Sequence, residues 1–266
     1  MKVQIEEKFI ALKKILRELE SVAVAFSGGV DSTFLLKVAQ EVLGEKVLAL
    51  TAQSVFVPKS EVESTKKFCE ENKIRQIIFN ADVLKIDGVK ENPVNRCYLC
   101  KNALFKNFLR LAEENNFSHV AEGSNKDDEG DFRPGMKALA ELQIKSPLRM
   151  AELYKKEIRE LSKKLNLPTA DKPSMACLAT RFAYGEILTS EKLLQVERAE
   201  EFLREKNFKQ LRVRVHGKIA RIEILPAEFE KILSLREEIV KNLKNFGFEF
   251  VALDLQGYRT GSMNIF

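Results

Sequence analysis

The chain has 266 residues, of which 45% are hydrophobic and 31% charged, values typical of a globular protein with one large or two modest domains. No apolar run approaches the roughly 20 residues that a membrane-spanning helix needs, and the charged N-terminal segment lacks a signal-peptide pattern, so we expect a cytoplasmic protein without a membrane partner. The net charge of +5 is mild; it suits an anionic small molecule or RNA and does not decide between them.

Apolar spacing predicts a helix over residues 3–19 and a buried parallel strand over residues 22–26. The loop Ser27-Gly28-Gly29-Val30-Asp31-Ser32 follows and leads into a second helix. Its two glycines allow the backbone to approach a ligand, and the N–H groups at the start of a helix attract anions. This loop therefore predicts a phosphate site; a capped turn without a ligand is the alternative.

Side chains of the same loop add chemistry to this prediction. Ser27 and Ser32 offer hydroxyl donors, whereas the Asp31 carboxylate would repel a phosphate unless a cation lay between them. Mg²⁺ is the natural cation for such oxygen ligands. The loop does not end in Gly-Lys-Ser/Thr, so it is not a Walker A loop.

Further strands are predicted over residues 46–52, 75–79 and 119–123, with a helix over residues 59–72. In open α/β sheets, ligands bind at the carboxyl ends of the strands. The residues expected to contact ATP at these ends are Ala52, Ser54, Gly123 and Ser124.

An acidic loop continues from the strand at residues 119–123. We predict that Asp128 helps Asp31 to bind Mg²⁺, with Asp127 and Asp131 as the other candidates, and that Arg133 pairs with a phosphate of ATP. A solvated loop without a ligand is the alternative.

The four cysteines fall into distinct settings. Cys97 and Cys100 stand three residues apart just before a predicted helix over residues 101–115, where thiolates are favoured and two sulfurs can reach one metal ion. Cys177 lies in an irregular loop, where the nearby Lys172 and Arg181 favour its thiolate; a buried, inert thiol is the alternative. Cys69 lies inside a helix and is expected to be inert.

The C-terminal part predicts a smaller α+β domain. A helix around residues 193–203 is followed by strands over residues 211–216 and 219–225, helices around residues 227–245 and a strand over residues 248–253. Arg212 and Arg214 share one face of their strand, where they either clamp a phosphate or carboxylate or form a solvated surface. We therefore predict two domains, residues 1–170 and 171–266.

The loop at residues 27–32 resembles the pyrophosphate loop of the N-type ATP pyrophosphatases, which cleave ATP between the α and β phosphates. Longer motifs resemble the LarE family over nearly the whole chain. They are Arg96-Cys97-Tyr98-Leu99-Cys100-Lys101, Glu122 to Asp128, Asp131 to Gly135, Pro173 to Arg181, Arg212 to Gly217 and Ala220 to Glu223. The resemblance implies an α/β fold, a parallel twisted sheet with helices on both faces, followed by the smaller C-terminal α+β domain.

The resemblance also implies a reaction. LarE enzymes adenylate the carboxylates of pyridinium-3,5-biscarboxylic acid mononucleotide and convert them to thiocarboxylates, on the way to the nickel-pincer nucleotide cofactor. Cys177 stands at the sulfur-bearing position, and Glu200 is a candidate base. Arg181, Arg212 and Arg214 are the expected ligands of the nucleotide substrate.

In one branch of the family the sulfur-bearing cysteine gives up its own sulfur and becomes dehydroalanine. The additional pair at Cys97 and Cys100 departs from that branch. Together with Cys177, it resembles a variant that holds a 4Fe-4S cluster on three cysteines, to which sulfide or a sulfur-donor protein can return sulfur. Zinc is the simpler metal, but no fourth protein ligand stands out.

Other classes remain open at this point. The cysteine pattern also resembles that of tRNA 2-thiolation enzymes, which should carry an RNA-binding appendage and a stronger positive charge. An amide-forming synthetase needs an ammonia source, and a non-catalytic AMP-binding module would not explain three placed cysteines. We expect a homo-oligomer that binds a small nucleotide rather than nucleic acid.

Overall fold

The computed structural model describes residues 2–129, 134–173 and 175–259. It divides the chain into two compact units, one formed by Met1–Asp82 with Asn95–Met175 and the other by Val83–Val94 with Ala176–Phe266. The sequence predicts a single boundary after residue 170. The short segment 83–94, which belongs to the second unit, was not anticipated by that prediction.

The first unit is built on a sheet of four parallel strands. The strands are β1 Val22–Ala25, β2 Val47–Gln53, β3 Arg75–Asn80 and β4 Val120–Ala121. Their order is β3-β2-β1-β4, so the chain builds outward from β1 on one side and then returns to its other side. This reversal opens a crevice at the carboxyl ends of β1 and β4, where ligands bind in such sheets.

Helices cover both faces of this sheet, which confirms the predicted fold class. They are α1 Lys2–Glu18, α2 Val30–Leu43, α3 Lys59–Glu71, α4 Arg96–Glu114, α5 Pro134–Glu141, α6 Pro147–Met150 and α7 Lys155–Lys164. Val22 and Val24 pack with α1, α2, α6 and α7 on one face, whereas Ala23 packs with α4 and α5 on the other. Alternate residues of one strand thus fill two separate cores.

The second unit contains a mixed three-stranded sheet with the order β5-β6-β7. Its elements are α8 Ser190–Glu205, β5 Leu211–His216, β6 Ile219–Ile224, α9 Phe229–Ser234, α10 Arg236–Asn245 and β7 Phe250–Leu253. β5 and β6 form an antiparallel pair, and β7 runs parallel to β6. This arrangement confirms the predicted smaller α+β region. Across the described part of the chain, no helix combines the length and apolar character needed to cross a membrane.

Candidate functional site

The loop between β1 and α2 places its polar groups at the start of α2. Gly28 adopts a φ of +71°, and a Cβ there would stand 3.1 Å from Thr65 Cγ2, so a larger residue would strain the loop. The hydroxyl oxygens of Ser27 and Ser32 lie 3.1 Å apart, and Ser32 donates to the Gly29 carbonyl at 3.2 Å. Donors thus gather around the positive end of α2, as an anion site requires.

The chain leaving β4 comes very close to this helix start. A Cβ on Gly123 would lie 3.0 Å from the Ser32 nitrogen and 3.2 Å from Asp31 Cβ, so only glycine fits without a shift. The neighbouring Glu122 is buried and accepts hydrogen bonds from Ser124 at 2.7 Å and Ser146 at 2.6 Å. These bonds fix Ser124 beside the helix start.

A cleft of about 510 Å³ opens between these two loops. Its lining combines apolar side chains, which suit a nucleobase, with polar groups, which suit phosphates. Its apolar lining includes Val57, Val62, Leu104, Phe105 and Phe108. Its polar lining includes Ser27, Asp31, Ser32, Thr51, Lys101, Ser124, Asn125, Asp127, Asp128 and Lys155.

Some of the residues predicted to contact ATP line the cleft, and others do not. Ala52 and Gly123 line it, but Ser54 lies past the end of β2, where its hydroxyl accepts a hydrogen bond from the Phe56 nitrogen at 3.3 Å. Gly28 packs behind the loop against α3. The predicted phosphate contact at Arg133 lies outside the described residues, as does Asp131.

Asp31 forms an ion pair with Lys155, the first residue of α7. Burial raises the pKa of the Asp31 carboxyl above its ordinary value, and Lys155 opposes that rise. Its second oxygen, Oδ1, is buried and has no hydrogen-bond partner among the described residues. A buried carboxylate oxygen without a partner is costly, and a bound cation would relieve that cost.

The two neighbouring aspartates of the acidic loop already hold the backbone in place. Asp128 accepts from the Asn125 nitrogen at 2.9 Å, and Asp127 accepts from the Lys155 nitrogen at 2.7 Å. Lys155 therefore joins this loop to Asp31. Within the three described stretches of the chain, no group of three His, Cys, Asp or Glu side chains could hold a metal ion.

The structure gives Lys172 a role that the sequence did not indicate. Its ammonium group donates to the Gly28 carbonyl at 3.0 Å and to the Glu61 carboxylate at 2.6 Å. The prediction from sequence proximity placed this charge beside Cys177. The structure instead shows it engaged with the glycine-rich loop and α3.

Cys97 and Cys100 lie in the first turns of α4, because the helix begins at Arg96 rather than at the predicted residue 101. Arg96 lies 3.6 Å from the Cys97 sulfur through its Nη2 atom. Cys97 shares a helix face with Lys101, Leu104 and Phe108, which line the cleft, because residues four, seven and eleven positions apart lie on one side of a helix. The pair therefore stands on the helix that forms one wall of the cleft.

Cys69 is buried in the core between α3 and the sheet. Burial raises the pKa of its thiol to about 12, so it stays protonated at neutral pH.

In the second unit, Cys177 precedes a short 3₁₀-helix, Leu178–Arg181. Arg181 is fully buried and donates to the carbonyls of Ala176 at 2.7 Å and Cys177 at 3.0 Å. The rest of its guanidinium forms a two-pronged ion pair with Glu200 at 2.8 and 2.9 Å. Arg181 therefore ties the Cys177 backbone to α8.

Glu200 is the centre of a buried charge network. It also accepts from Arg204 at 2.7 Å and from the Val213 nitrogen at 3.1 Å. Burial alone would raise the pKa of Glu200, but the surrounding arginines, Arg181 above all, lower it to about 2. Such a carboxylate is a weak base, so this geometry favours a positioning role for Glu200 over the predicted role as base.

Arg212 and Arg214 are both buried, which excludes the alternative that they form a solvated strand face. Arg214 pairs with Glu223 at 2.9 Å and donates to the Thr180 carbonyl at 2.9 Å. Arg212 lies 5.2 Å from the centre of the Tyr258 ring. Burial and the charge of Arg181 lower the pKa of Arg212 to about 10, which still leaves it charged at neutral pH.

Comparison with known proteins agrees with the fold and the loop. Residues 1–131 match the PP-loop domain family. The chain is 38% identical to an uncharacterized protein of Synechocystis, with 98% of each chain covered. It is 36% identical to the pyridinium-3,5-bisthiocarboxylic acid mononucleotide synthase of Lactiplantibacillus plantarum, with 97% of this chain and 94% of that protein covered. A glutamine-hydrolyzing GMP synthase component from Archaeoglobus fulgidus is 27% identical, with 75% of this chain and 70% of that protein covered.

The fold and the loop thus define a PP-loop enzyme that uses ATP. The similarity to the synthase extends across both units, well beyond the PP-loop domain. The chain belongs to the LarE family, and it is an ATP-dependent sulfurtransferase.

Proposed function

We propose that the enzyme adenylates the carboxylates of pyridinium-3,5-biscarboxylic acid mononucleotide and replaces them with thiocarboxylates, as a step in nickel-pincer nucleotide synthesis. The observation that carries this proposal is the similarity to a synthase of the bisthiocarboxylic product over nearly the full length of both chains. The arginine-anchored loop of Cys177 supports it, because sulfur transfer needs a held thiol.

In the first step, the cleft binds ATP. The apolar lining takes the adenine, and the loop at residues 27–32 takes the β and γ phosphates. An oxygen of the substrate carboxylate attacks the α phosphorus, the bond to the bridging oxygen breaks, and pyrophosphate leaves with the electron pair. An acyl adenylate remains.

Mg²⁺ fits this step, because Asp31 presents a buried oxygen without a hydrogen-bond partner among the described residues. Besides burial, the nearby negative charge of Asp128 raises the pKa of Asp31, so a cation would be attracted to both carboxylates. When bound there, Mg²⁺ would neutralise charge on the leaving pyrophosphate. Lys155 pairs with the same carboxylate, so it would compete with the cation for Asp31.

In the second step, a sulfur nucleophile at Cys177 attacks the acyl carbon, and AMP leaves with the electrons of the carbon–oxygen bond. In the sacrificial alternative the sulfur is that of Cys177 itself. Removal of the Cα proton together with cleavage of the Cβ–sulfur bond would then release the thiocarboxylate and leave dehydroalanine at position 177. Arg181 holds the loop in place, while Arg212 and Arg214 bind the phosphate and carboxylates of the substrate.

We further propose that Cys97, Cys100 and Cys177 hold a 4Fe-4S cluster. The chemistry of the donors supports this proposal, because soft thiolates suit iron and because Cys97 and Cys100 are free thiols that stand one helical turn apart on α4. A bound cluster would supply renewable sulfide, so that sulfide or a donor protein could restore the enzyme after each turnover.

The product of ATP cleavage tests the first half of this proposal. Purified enzyme with Mg²⁺, ATP and the biscarboxylic nucleotide should yield AMP and pyrophosphate, with thiocarboxylate detected by mass spectrometry. ADP as the main product would contradict the proposal.

Anaerobic purification tests the cluster. Iron and sulfide should copurify with the wild type and be lost in Cys97→Ala, Cys100→Ala and Cys177→Ala. The matched control Cys69→Ala should retain both. Colourless, iron-free protein that loses one sulfur from Cys177 per chain would show instead that the cysteine is sacrificed.

A further inference from the structure

Lys172 links two parts of the first unit that are far apart in sequence. It reaches the Gly28 carbonyl, 144 residues away, and the Glu61 carboxylate, 111 residues away. The side chains of Lys172 and Glu61 are only 21% and 12% exposed, so this ion pair is shielded from solvent more than a surface pair. We call the contacts of Lys172 with Gly28 and Glu61 the Lys172 clamp.

The Lys172 clamp holds the peptide group that joins Gly28 to Gly29. The described chain has no cis peptide bonds, and in a planar trans peptide the carbonyl and the following N–H point in opposite directions. Because Lys172 holds the Gly28 carbonyl, it also fixes the direction of the Gly29 N–H. Gly29 lines the cleft, so the clamp sets one donor of the anion site.

The backbone of Lys172 is itself anchored to α7. Arg159 donates to the carbonyls of Ala170 at 2.6 Å and Lys172 at 2.8 Å. Arg159 stands four residues after Lys155, on the same face of α7. One helix therefore holds the loop at two points, through the Asp31 ion pair at one and through the Lys172 clamp at the other.

Glycine at position 28 makes this support necessary. Its φ of +71° is accessible to glycine at little cost, but glycine also allows many other conformations. A charged donor on its carbonyl selects one of them before the ligand arrives. Preorganisation of this kind favours the bound state because less freedom is lost on binding.

We propose that Lys172 is a positioning residue for the pyrophosphate part of the ATP site. The proposal rests on the proposed ATP site in this cleft, and it holds whichever carboxylate is adenylated. The clamp orients a donor for the β and γ phosphates and does not touch the apolar part of the cleft. Its loss should therefore affect pyrophosphate and ATP more than AMP.

Titration calorimetry with Mg²⁺ and three probes tests this split. The probes are pyrophosphate, AMP and an ATP analogue with a methylene group between the α and β phosphates. Lys172→Met should weaken pyrophosphate and the analogue about tenfold, the size expected for one charge-assisted hydrogen bond, and leave AMP within about twofold. Glu61→Gln, which keeps the bond to Gly28, should have a smaller effect of the same kind.

Two further variants distinguish loss of the Lys172 clamp from the effect of removing any positive charge nearby. Lys172→Arg keeps the charge and the donors, so it should restore most of the affinity. Lys163→Met removes an equal charge from the exposed Lys163–Asp171 pair, 2.7 Å apart, and should change none of the three affinities.

The outcomes distinguish this proposal from the proposed function. Failure of the unmodified protein to bind pyrophosphate or the analogue would contradict the ATP site and the clamp together. Normal binding by the unmodified protein with no change in Lys172→Met would overturn the clamp alone. Equal weakening of AMP and pyrophosphate would also overturn it, because it would indicate a general loss of structure.

Discussion

Charged side chains have different surroundings in the two units. In the first unit, polar groups surround an open cleft, and one oxygen of Asp31 has no hydrogen-bond partner among the described residues. In the second unit, several charged groups form buried ion pairs with each other, such as Arg181–Glu200 and Arg214–Glu223. In the first unit a buried carboxylate oxygen is available to a ligand, whereas in the second unit the carboxylates of these pairs are already bonded to arginines.

This difference indicates a division of labour. An unpartnered carboxylate is costly in a folded protein and is kept where a ligand will complete it. A paired, buried network instead fixes geometry, and here it holds the backbone of Cys177 through Arg181. Substitutions in the first unit should therefore change ligand binding, and those in the network should change stability.

The largest effect on stability is expected for Glu200→Gln. It leaves Arg181 buried at 0% exposure without its carboxylate partner, and breaking such a pair costs about 3–5 kcal/mol of unfolding free energy. Urea denaturation followed by circular dichroism measures this loss. The matched control is Glu201→Gln on the exposed side of α8, and equal losses in the two variants would contradict the network.

Low pH should destabilise the protein through protonation of Glu200. The pKa of Glu200 is lowered to about 2 from an ordinary value of 4.5, so its contribution to stability is complete above about pH 4.5 and is lost as the pH falls towards 2. In Glu200→Gln this part of the acid dependence should be absent.

In the first unit, Asp31→Asn and Lys155→Met should shift Mg²⁺ dependence in opposite directions. Asp31→Asn removes a metal ligand and should lower Mg²⁺-dependent ATP cleavage about 100-fold while the fold stays intact. Lys155→Met removes the cation that pairs with Asp31, so Mg²⁺ should bind the nucleotide-free enzyme a few times, roughly two- to fivefold, more tightly.

Calorimetry with Mg²⁺ measures the second effect, and removal of Mg²⁺ with EDTA should stop ATP cleavage by the wild type. Weaker Mg²⁺ binding in Lys155→Met would show that the lysine does not compete for Asp31.

Arg212→Ala should affect one substrate only. Arg212 lies in the second unit, so we expect about tenfold weaker binding of the biscarboxylic nucleotide and unchanged binding of ATP, the size typical of one lost charge-assisted contact. Steady-state KM values for the two substrates make the comparison. An equal increase in both would assign Arg212 to the ATP site.

The sequence predicts the sheet because each strand is a short apolar run that ends in turn residues, as at Val22–Ala25. It predicts the phosphate loop because its glycines, serines and aspartate are contiguous. It does not predict Lys155 or Lys172 at this loop, since each is more than 120 residues away from its partner there and lysines are common on surfaces. Only the folded sheet brings them together.

The arginines of the second unit show a second limit of prediction from the sequence. Alternation along Leu211–His216 places Arg212 and Arg214 on one face, and such a face usually meets solvent. In the structure, Arg214 pairs with Glu223 on the neighbouring strand β6, and Tyr258, from the C-terminal segment of the chain, lies near Arg212. The contact with Tyr258 depends on tertiary packing and leaves no local signal in the sequence.

Cys69→Ala should have the smallest effect. The thiol is buried and protonated, so its loss should leave activity unchanged and cost about 1 kcal/mol of unfolding free energy. Alkylation with iodoacetamide on the native enzyme should spare Cys69, and rapid labelling there would contradict its burial.

The most direct test of the division between activation and sulfur transfer is a paired assay on Cys177→Ala. Pyrophosphate release and thiocarboxylate formation are measured side by side with ATP, Mg²⁺ and the biscarboxylic nucleotide. We predict that the variant still releases pyrophosphate, because the first unit is intact, and forms no thiocarboxylate, whereas the wild type does both. Thiocarboxylate formed by Cys177→Ala would contradict the account, since the sulfur would then reach the substrate without Cys177.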